Sequence, residues 1–303
     1  MKRKRLSALY RTEQRYGYLM ISPVVLGFCV LLVFPLLYEL YMSLTDMQLN
    51  GVGDFVGLQN YVNLFNDPKY INSMKNTVVF AIGVVPVNVL LAIIFARMLH
   101  QQIRGVGLYR TIMFLPYITP VVVWAQVWKL ILAGDTGILN NFLSMFGIEG
   151  TNWLFDMEMT MPMVIANVVL KGVGYNVVIF LSAMMSVPES YYEAAELDGA
   201  GKLKQIWHIT LPCILPSIIT LTLLSIGKIF YSDFGLFYQV PRDSGMLYST
   251  TNVIDTYVYR GLMKQGNIGM SSAAGVYQSV VGFVLVLLSN LVVRKVSKEN
   301  ALF

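Results

Sequence analysis

Six long apolar runs recur along this chain, and each is close to the length of a helix that crosses a bilayer. A spanning helix needs about 20 mainly apolar residues. The run Thr160–Pro188 contains one charge, Lys171, and the other five contain none. Those five are Tyr16–Tyr38, Asn76–Ala96, Thr111–Trp128, Ile209–Gly227 and Gln265–Val293. With only 13% charged residues, against about 25% in soluble domains, the chain is predicted to be an all-α integral membrane protein with six transmembrane helices.

Lysine and arginine are distributed unequally between the two sides that six spans define. Fourteen of them lie on the side that holds both termini, and five lie on the opposite side. By the positive-inside rule, both termini are predicted to be cytoplasmic. The first run follows a basic segment, as in a secretory signal peptide, but it is too long and lacks a small-residue cleavage site. It is therefore expected to remain as a membrane anchor.

This topology divides the chain into a basic cytoplasmic amino terminus, residues 1–15, and a single transmembrane domain, residues 16–303. The net charge of +5 reflects the cytoplasmic excess of basic residues, and no nucleic-acid motif accompanies it. Cys29 and Cys213 lie inside predicted spans, where a small apolar packing role is expected and a disulfide framework is not. External loops are expected at about 44–75, 134–159 and 233–270.

Prolines are frequent inside the runs, and two interpretations of them remain open. They are Pro23, Pro35, Pro86, Pro116, Pro120, Pro212 and Pro216. Proline lacks a backbone donor and frees a carbonyl that other helices or water must satisfy, which predicts broken or kinked helices. Alternatively, proline is simply more frequent in membrane helices than in soluble ones.

A polar segment at about 187–208 interrupts the apolar pattern on the predicted cytoplasmic side. Ser186 and Pro188 are expected to start a helix there, and Gly199 with Gly201 to end it. The helix would have about three turns, roughly 16 Å, which is too short to cross a membrane. Two interpretations are open: a solvated loop helix, or a helix whose small side chains and carboxylates dock into a groove of a partner. Those residues are Glu193, Ala194, Ala195, Glu196 and Asp198.

Three short motifs in this region resemble the signature of a known family. They read Glu193-Ala194-Ala195, Asp198-Gly199-Ala200 and Ile209-Thr210-Leu211-Pro212. In this order and spacing they resemble the signature of the permease subunits of bacterial ATP-binding-cassette (ABC) importers. Other stretches are similar to the sugar-importing branch, with a likeness to the subgroup for complex or acidic oligosaccharides. The stretches similar to the branch are 55–61, Asn76-Thr77 and Val187-Pro188-Glu189, and those similar to the subgroup are 233–237 and 255–258.

The resemblance implies that the polar segment contains a coupling helix, which inserts into a cleft of a cytoplasmic ATPase subunit. Glu193 would be the acidic contact, Ala194 and Ala195 the close-packing surface, Asp198 part of the motif, and Gly199 the turn. Carbohydrate would cross the cytoplasmic membrane by alternating access, delivered by an external solute-binding protein. A second, homologous permease and two copies of the ATPase would complete the complex. This chain would hold no cofactor, because ATP and magnesium would bind to the ATPase subunits.

The chemistry of an enzyme is not recognisable in the sequence. Neither Gly201-Lys202-Leu203 nor Gly227-Lys228-Ile229 completes the phosphate-binding loop of an ATPase. His100 and His208 lie near predicted membrane boundaries without a second ligand at useful spacing, which favours packing over metal binding. No nucleophile is paired with a base. A membrane enzyme such as a lipid-linked glycosyl transferase remains the alternative function, and an ion channel lacks its filter or charged ring.

Lys171 is the most informative charge, because it falls near the middle of the fourth run. An unpaired ammonium there costs at least about 2.5–3.5 kcal/mol, so it should face protein or water. One interpretation is a polar stripe that lines a sugar path, and the other is a pair with a carboxylate of a partner subunit. Lys129 and Lys228 lie near helix ends, where snorkelling is expected. The path candidates are Lys171, Asn167, Tyr175 and Asn176, with Tyr231 and Asp233 at an outer rim.

Overall fold

The computed structural model describes residues 8–51, 53–101, 104–134, 136–153, 156–241 and 243–301. Within these ranges the regular structure is helical, with two isolated β-bridges. Part of the predicted basic amino terminus, residues 1–7, lies outside the described residues. The α-helices are α1 Ala8–Phe28, α2 Phe34–Ser43, α3 Gln59–Asn66, α4 Pro68–His100, α5 Val106–Ile118, α6 Val121–Leu132, α7 Ile138–Ser144, α8 Met157–Met185, α9 Glu189–Leu197, α10 Lys202–Gln205, α11 Leu211–Gly227, α12 Phe234–Gln239, α13 Tyr248–Thr251, α14 Ile254–Met263 and α15 Ile268–Val296.

Five helical segments of the described chain are long and apolar enough to cross a membrane. They correspond to five of the six predicted runs and extend beyond most of them. The protein is thus an all-helical membrane protein, as predicted. The segments are Glu13–Ser43, Pro68–His100, Met157–Met185, Lys202–Gly227 and Ile268–Lys295.

The remaining run, predicted as one helix over Thr111–Trp128, is broken. Helices α5 and α6 meet there at an angle of 103°, and they make a sixth span only if the bent pair counts as one. Thr119 adopts an extended conformation, with φ −68° and ψ 129°. Pro120 causes this, because the proline ring disfavours the helical conformation in the residue before it. The third predicted span is therefore a broken one, which agrees with the proline-break interpretation at this site.

Two further prolines follow a π-helical turn. The turns Cys29–Val33 and Ile206–Thr210 each end two residues before a proline, Pro35 and Pro212 respectively. A π turn is a common way for a helix to absorb a local disruption of its hydrogen bonds. In contrast, Pro86 lies inside the uninterrupted helix α4.

One compact unit of the chain comprises residues 1–64 and 261–276. In its described part, the end of α2 is bound by the buried side chain of Asn60. The Nδ2 atom of Asn60 donates to the carbonyls of Ser43 at 2.9 Å and Thr45 at 2.6 Å. Gly269 packs directly against the backbone of Thr45, and an added Cβ would be 2.1 Å from the Thr45 carbonyl oxygen. Cys29 in this unit and Cys213 in the other are free and exposed, so neither packs in the core of the chain.

The second unit comprises residues 65–260 and 277–303 and contains the main core. There α4 packs along α8 through small and apolar side chains, among them Ala92, Ala96, Val177 and Phe180. Helix α5 approaches α8 more closely at Gly174, where an added Cβ would be 1.9 Å from the Met113 carbonyl oxygen. Only glycine at this position allows the two backbones to come so close. The contact fixes α5, the first helix of the broken span, against α8.

Polar side chains of α4 hold the segment 248–254 in the same unit. Asn76 Nδ2 donates to the carbonyls of Ser249 at 2.9 Å and Asn252 at 3.0 Å. The Thr77 hydroxyl accepts from the amide of Ile254 at 3.1 Å. Asn76 and Thr77 were expected to open the second span, but α4 begins earlier, at Pro68. Helix α14 begins where this segment ends, at Ile254.

Candidate functional site: a short exposed helix and a broken span

The predicted cytoplasmic helix is α9, with nine residues, Glu189–Leu197. At 1.5 Å per residue it is about 13 Å long, somewhat shorter than expected. Its N-cap residue is Pro188, without a side-chain cap. Ser186 instead closes α8, in a helical conformation, and donates its hydroxyl to the Ala183 carbonyl at 2.7 Å. The predicted serine cap of α9 is therefore wrong, because an N-cap requires a non-helical backbone.

The end of α9 follows the prediction. Gly199 has a φ of +73°, in the left-handed region that favours glycine. The Gly199 amide donates to Glu196 O at 3.0 Å, and the Ala200 amide donates to Ala195 O at 2.8 Å. These two bonds form a Schellman motif, which terminates the helix and sets the direction of the chain beyond it.

The two faces of α9 have different surroundings. One face, with Glu189, Tyr192 and Glu193, lines a cavity of about 1070 Å³. On the rest of the helix Ala194 and Asp198 are exposed, Ala195 is half-buried, and Leu197 is 90% exposed. An apolar side chain so exposed in a polar segment is consistent with a partner surface.

Two side-chain contacts attach α9 to the chain that follows it. The Tyr192 hydroxyl is 3.0 Å from the hydroxyl of Thr210, which is buried at the start of the fifth predicted span. Lys202 Nζ forms a salt bridge with Glu196 at 2.5 Å. The hydrogen bond from Lys202 lowers the pKa of the Glu196 carboxyl. These contacts tie α9 to the start of that span.

Lys171 binds the end of α5 at the broken span. Its ammonium donates to the carbonyls of Thr119 at 2.7 Å, Pro116 at 3.1 Å and Tyr117 at 3.4 Å. The last carbonyls of a helix have no partners within the helix and carry partial negative charge. Lys171 satisfies them in the apolar layer. These three carbonyls give the ammonium its hydrogen-bond acceptors within the chain.

The other predicted path residues separate into two groups. Tyr175 stacks on Tyr117, with ring centroids 4.9 Å apart, and both rings are exposed, at 42% and 45% respectively. Asn176 donates to Asn88 Oδ1 at 2.8 Å. Asn167, however, is 1% exposed and accepts from the indole of Trp124 at 2.6 Å. Asn167 is therefore a buried packing residue, whereas Tyr175 lies at an accessible surface.

The two predicted rim residues have local structural contacts. Asp233 is the N-cap of α12, and its carboxylate accepts from the Leu236 amide at 3.1 Å. Tyr231 is exposed, and its hydroxyl is 2.7 Å from that of Ser279. Nearby, Asp255 accepts from the Ser232 amide at 2.6 Å and from Gln278 Nε2 at 3.0 Å. Burial raises the pKa of the Asp255 carboxyl.

Sequence reasoning missed Tyr117 and Trp124 at the broken span and Asn88 on α4. The Thr119-Pro120 pair was the available signal, because the residue before proline is a probable helix boundary. The histidines have local contacts: His100 Nδ1 is 3.5 Å from Arg97 Nη1, and His208 Nδ1 is 3.0 Å from the Lys204 carbonyl. In the described part of the chain, no group of three His, Cys, Asp or Glu side chains is arranged to hold a metal ion.

Comparison with known proteins identifies the family. Residues 72–298 match the family described as binding-protein-dependent transport system inner membrane component. The chain belongs to this family. It is therefore a multi-pass inner-membrane permease subunit of an ABC importer rather than an enzyme. Permeases of this family have no cofactor of their own, since ATP binds to the ATPase partner.

Two curated relatives cover almost the whole permease. It is 33% identical to the polygalacturonan/rhamnogalacturonan transport system permease protein YteP of Bacillus subtilis, over 99% of this chain and 94% of that protein. It is 29% identical to the arabinooligosaccharides transport system permease protein AraP of Halalkalibacterium halodurans, over 94% of this chain and 89% of that protein. The predicted membership in the sugar-importing branch is thereby confirmed.

Two solved structures have the same fold. One is a bacterial ABC transporter involved in the import of the acidic polysaccharide alginate, with a TM-score of 0.85, 28% identity, and coverage of 96% of this chain and 100% of that chain. The other is a bacterial alginate ABC transporter in complex with alginate pentasaccharide-bound periplasmic protein, with a TM-score of 0.83, 27% identity, and coverage of 96% and 99%. Permeases of this kind thus work in complexes with a periplasmic binding protein and ABC transporter partners.

Proposed function

We propose that this permease forms one half of the membrane pathway of an importer for acidic oligosaccharides. The observation that carries the proposal is the exposed Tyr117–Tyr175 stack beside the Lys171 ammonium at the break of a span. The relatives support the substrate class, because one permease is named for polygalacturonan/rhamnogalacturonan and two solved structures belong to transporters of the acidic polysaccharide alginate. The permease named for arabinooligosaccharides supports an oligosaccharide. A homologous second permease would supply the other half.

The chemistry at the break suits a sugar chain. The apolar CH faces of pyranose rings pack on aromatic faces, and sugar hydroxyls exchange hydrogen bonds with amides. Tyr117 on α5 and Tyr175 on α8 offer such faces, and next to Tyr175 the Asn176 amide pairs with Asn88 on α4. Asn167 is not part of the proposed path because it is buried.

Lys171 has a positioning role in this proposal. All three donors of an ammonium can be taken by the three carbonyls that it contacts, so its direct hydrogen bonds serve the break itself. Its charge still acts at longer range in a low-dielectric site and favours an anionic sugar. The lysine thereby holds the tyrosine platform in place and biases the path towards acidic substrates.

The Lys171→Met variant is expected to assemble but to transport at least about tenfold more slowly, because carbonyls at the break lose charge-assisted hydrogen bonds. The measurement is uptake of labelled oligogalacturonate by the complete complex in proteoliposomes. Lys228→Met is the matched control, since Lys228 is exposed at the end of α11. Normal uptake in Lys171→Met would contradict the positioning role.

The substrate class is tested by comparing charged and neutral oligosaccharides of equal length in the same assay. Tyr175→Ala is expected to raise the substrate concentration needed for half-maximal transport about tenfold, because ring stacking contributes on the order of 1 kcal/mol per ring. Tyr175→Phe retains the ring and is expected to transport normally. Equal transport by Tyr175→Ala and the wild type would exclude the platform, and preference for neutral sugars would exclude the acidic class.

Helix α9 is proposed to be the coupling helix that contacts the ATPase. Its exposed surface, with Ala194, Leu197 and Asp198, is free in this chain, and Ala195 offers a close approach for another backbone. Glu193 is exposed and offers an anionic contact to the ATPase. The Tyr192–Thr210 contact would carry the motion of the ATPase into the fifth span, a rigid-body mode of transmission.

The complete importer is proposed to contain a second, homologous permease, two copies of an ATPase subunit and an external solute-binding protein. One coupling helix per permease matches one ATPase per permease. Two different permeases also allow an asymmetric sugar chain to be bound more selectively than two identical halves would.

A further inference from the structure

A cavity of about 1070 Å³ lies between α9 and the helix ends beside it. Its walls come from the last turn of α4, the first turns of α5, the end of α8 and the face of α9 that carries Glu189 and Tyr192. The sugar path at the helix break does not include these residues. The cavity therefore needs a separate explanation.

One wall of this cavity carries two arginines whose hydrogen-bonding capacity is poorly used. The Nε atoms of Arg97 and Arg110 are buried and have no hydrogen-bond partner. Their other contacts are weak acceptors: His100 Nδ1 lies 3.5 Å from Arg97 Nη1, and Met185 Sδ lies 3.8 Å from Arg110 Nη2. In the described part of the chain neither forms an ion pair. A guanidinium in this state favours an oxyanion that accepts two parallel hydrogen bonds, such as a phosphate.

The face of α9 that lines this cavity is acidic. Glu189 lies in the first turn of α9 and faces the cavity with an exposed carboxylate. Glu196 on the same wall is already paired with Lys202. The lining thus contains the guanidiniums of Arg97 and Arg110, from α4 and α5, and the carboxylates of Glu189 and Glu193, from α9. In the described part of the chain none of these four side chains is in a salt bridge. A ligand that carries a negative and a positive group close together complements both walls, whereas a simple anion is repelled by the glutamate.

The depth of the cavity matches the headgroup layer of the membrane. Arg97 and His100 are in the last turn of a candidate span, and Arg110 lies near the start of another helix of the broken span. The ends of spans lie at the polar interface, on the side that the basic residues predict to be cytoplasmic. Tyr109 and Trp207, both exposed, are placed like the aromatic residues of a membrane interface.

We propose that this cavity binds the phosphoethanolamine headgroup of a phospholipid from the cytoplasmic leaflet. The phosphate would accept hydrogen bonds from Arg97 and Arg110, and the primary ammonium would donate to Glu189. Basic pockets between transmembrane helices on the cytoplasmic side commonly bind lipid headgroups. Because Glu189 belongs to α9, the bound headgroup would link the membrane to the helix that contacts the ATPase.

The experiment measures binding of short-chain lipids to the purified permease–ATPase complex by native mass spectrometry. Phosphatidylethanolamine is expected to bind more tightly than phosphatidylglycerol or phosphatidylcholine, and inorganic phosphate in excess is expected not to displace it. Arg97→Gln and Arg110→Gln should each weaken binding about tenfold, as expected for the loss of a charge-assisted hydrogen bond. Arg104→Gln is the matched control, because Arg104 is exposed and does not line the cavity.

Replacing Glu189 tests the contact with the ammonium separately from the contacts with the phosphate. Glu189→Gln should weaken binding of phosphatidylethanolamine but leave that of phosphatidylglycerol unchanged. Equal or tighter binding of phosphatidylglycerol to the wild type would overturn the zwitterionic site. Displacement by inorganic phosphate would overturn the lipid as its source, and an equal loss in Arg104→Gln would show non-specific attraction. Arg97→Lys keeps the charge and tests whether a lost signal reflects misfolding.

Discussion

Gly199→Val is expected to leave the complex in the membrane but to reduce substrate-stimulated ATP hydrolysis about tenfold or more. Gly199 has a φ of +73°, which a β-branched residue rarely adopts, at a cost of roughly 1–2 kcal/mol. An added Cβ would meet no atom within 4 Å, so the effect is conformational rather than steric. The Schellman bonds would be lost and the proposed coupling helix would end in a different direction. The measurement is ATP hydrolysis with and without the sugar-loaded binding protein.

The chain contains a close control for this experiment two residues away. Gly201 is also exposed and open, but its φ of −66° and ψ of 164° suit any residue. Gly201→Val should therefore retain normal coupling. Gly199→Asn should retain most of it, because asparagine tolerates the left-handed conformation better than valine. Equal losses in the two valine variants would show that bulk, rather than backbone conformation, causes the defect.

Gly174→Ala is expected to abolish recovery of the assembled complex or to lower its thermal unfolding midpoint by more than about 5 °C. The added Cβ would lie 1.9 Å from the Met113 carbonyl oxygen and 3.1 Å from the Phe114 Cα. Backbone atoms cannot rotate away, so α5 and α8 must separate. Overpacking of this kind typically costs 1–3 kcal/mol, and we expect about the upper value here.

Gly107→Ala provides the control for Gly174→Ala on the neighbouring helix α5. Gly107 is exposed, and an added Cβ would meet no atom within 4 Å. Alanine favours a helix more than glycine does, so this variant should be as stable as the wild type or slightly more stable. Recovery is measured by size-exclusion chromatography of the complex in detergent. Normal recovery and unfolding of Gly174→Ala would contradict the close approach of the two helices.

The features that the sequence predicted well are local or additive along the chain. Apolar length alone identifies a span, because every backbone group of a lipid-exposed helix must be satisfied within the helix. The end of α9 was predictable for a similar reason, since the left-handed conformation of Gly199 depends on the residue itself. The signature motifs around Glu193 were sufficient to predict the family.

Several site assignments depended on partners distant in the sequence. Lys171 meets carbonyls 52 to 55 residues away, and Asn176 meets Asn88 across 88 residues. The apolar pattern around Lys171 showed that an unpaired ammonium would be costly there, but it did not identify the groups that bind it. Ser186 was predicted to cap α9 but bonds to the end of α8. Asp233 was predicted to line the path but caps α12. For both residues, the sequence does not show which nearby backbone group the side chain binds.

The sequence by itself determined the membrane setting, the number of apolar runs, the family signature and the glycine that ends α9, because each follows from the properties of contiguous residues. Only the tertiary structure decided the direction of the chain after Thr119, the carbonyls that Lys171 binds, the burial of Asn167 and the exposure of Tyr175. Those outcomes depend on which helices pack together. Gly174 illustrates the difference: its requirement for glycine comes from the carbonyl of Met113 on another helix.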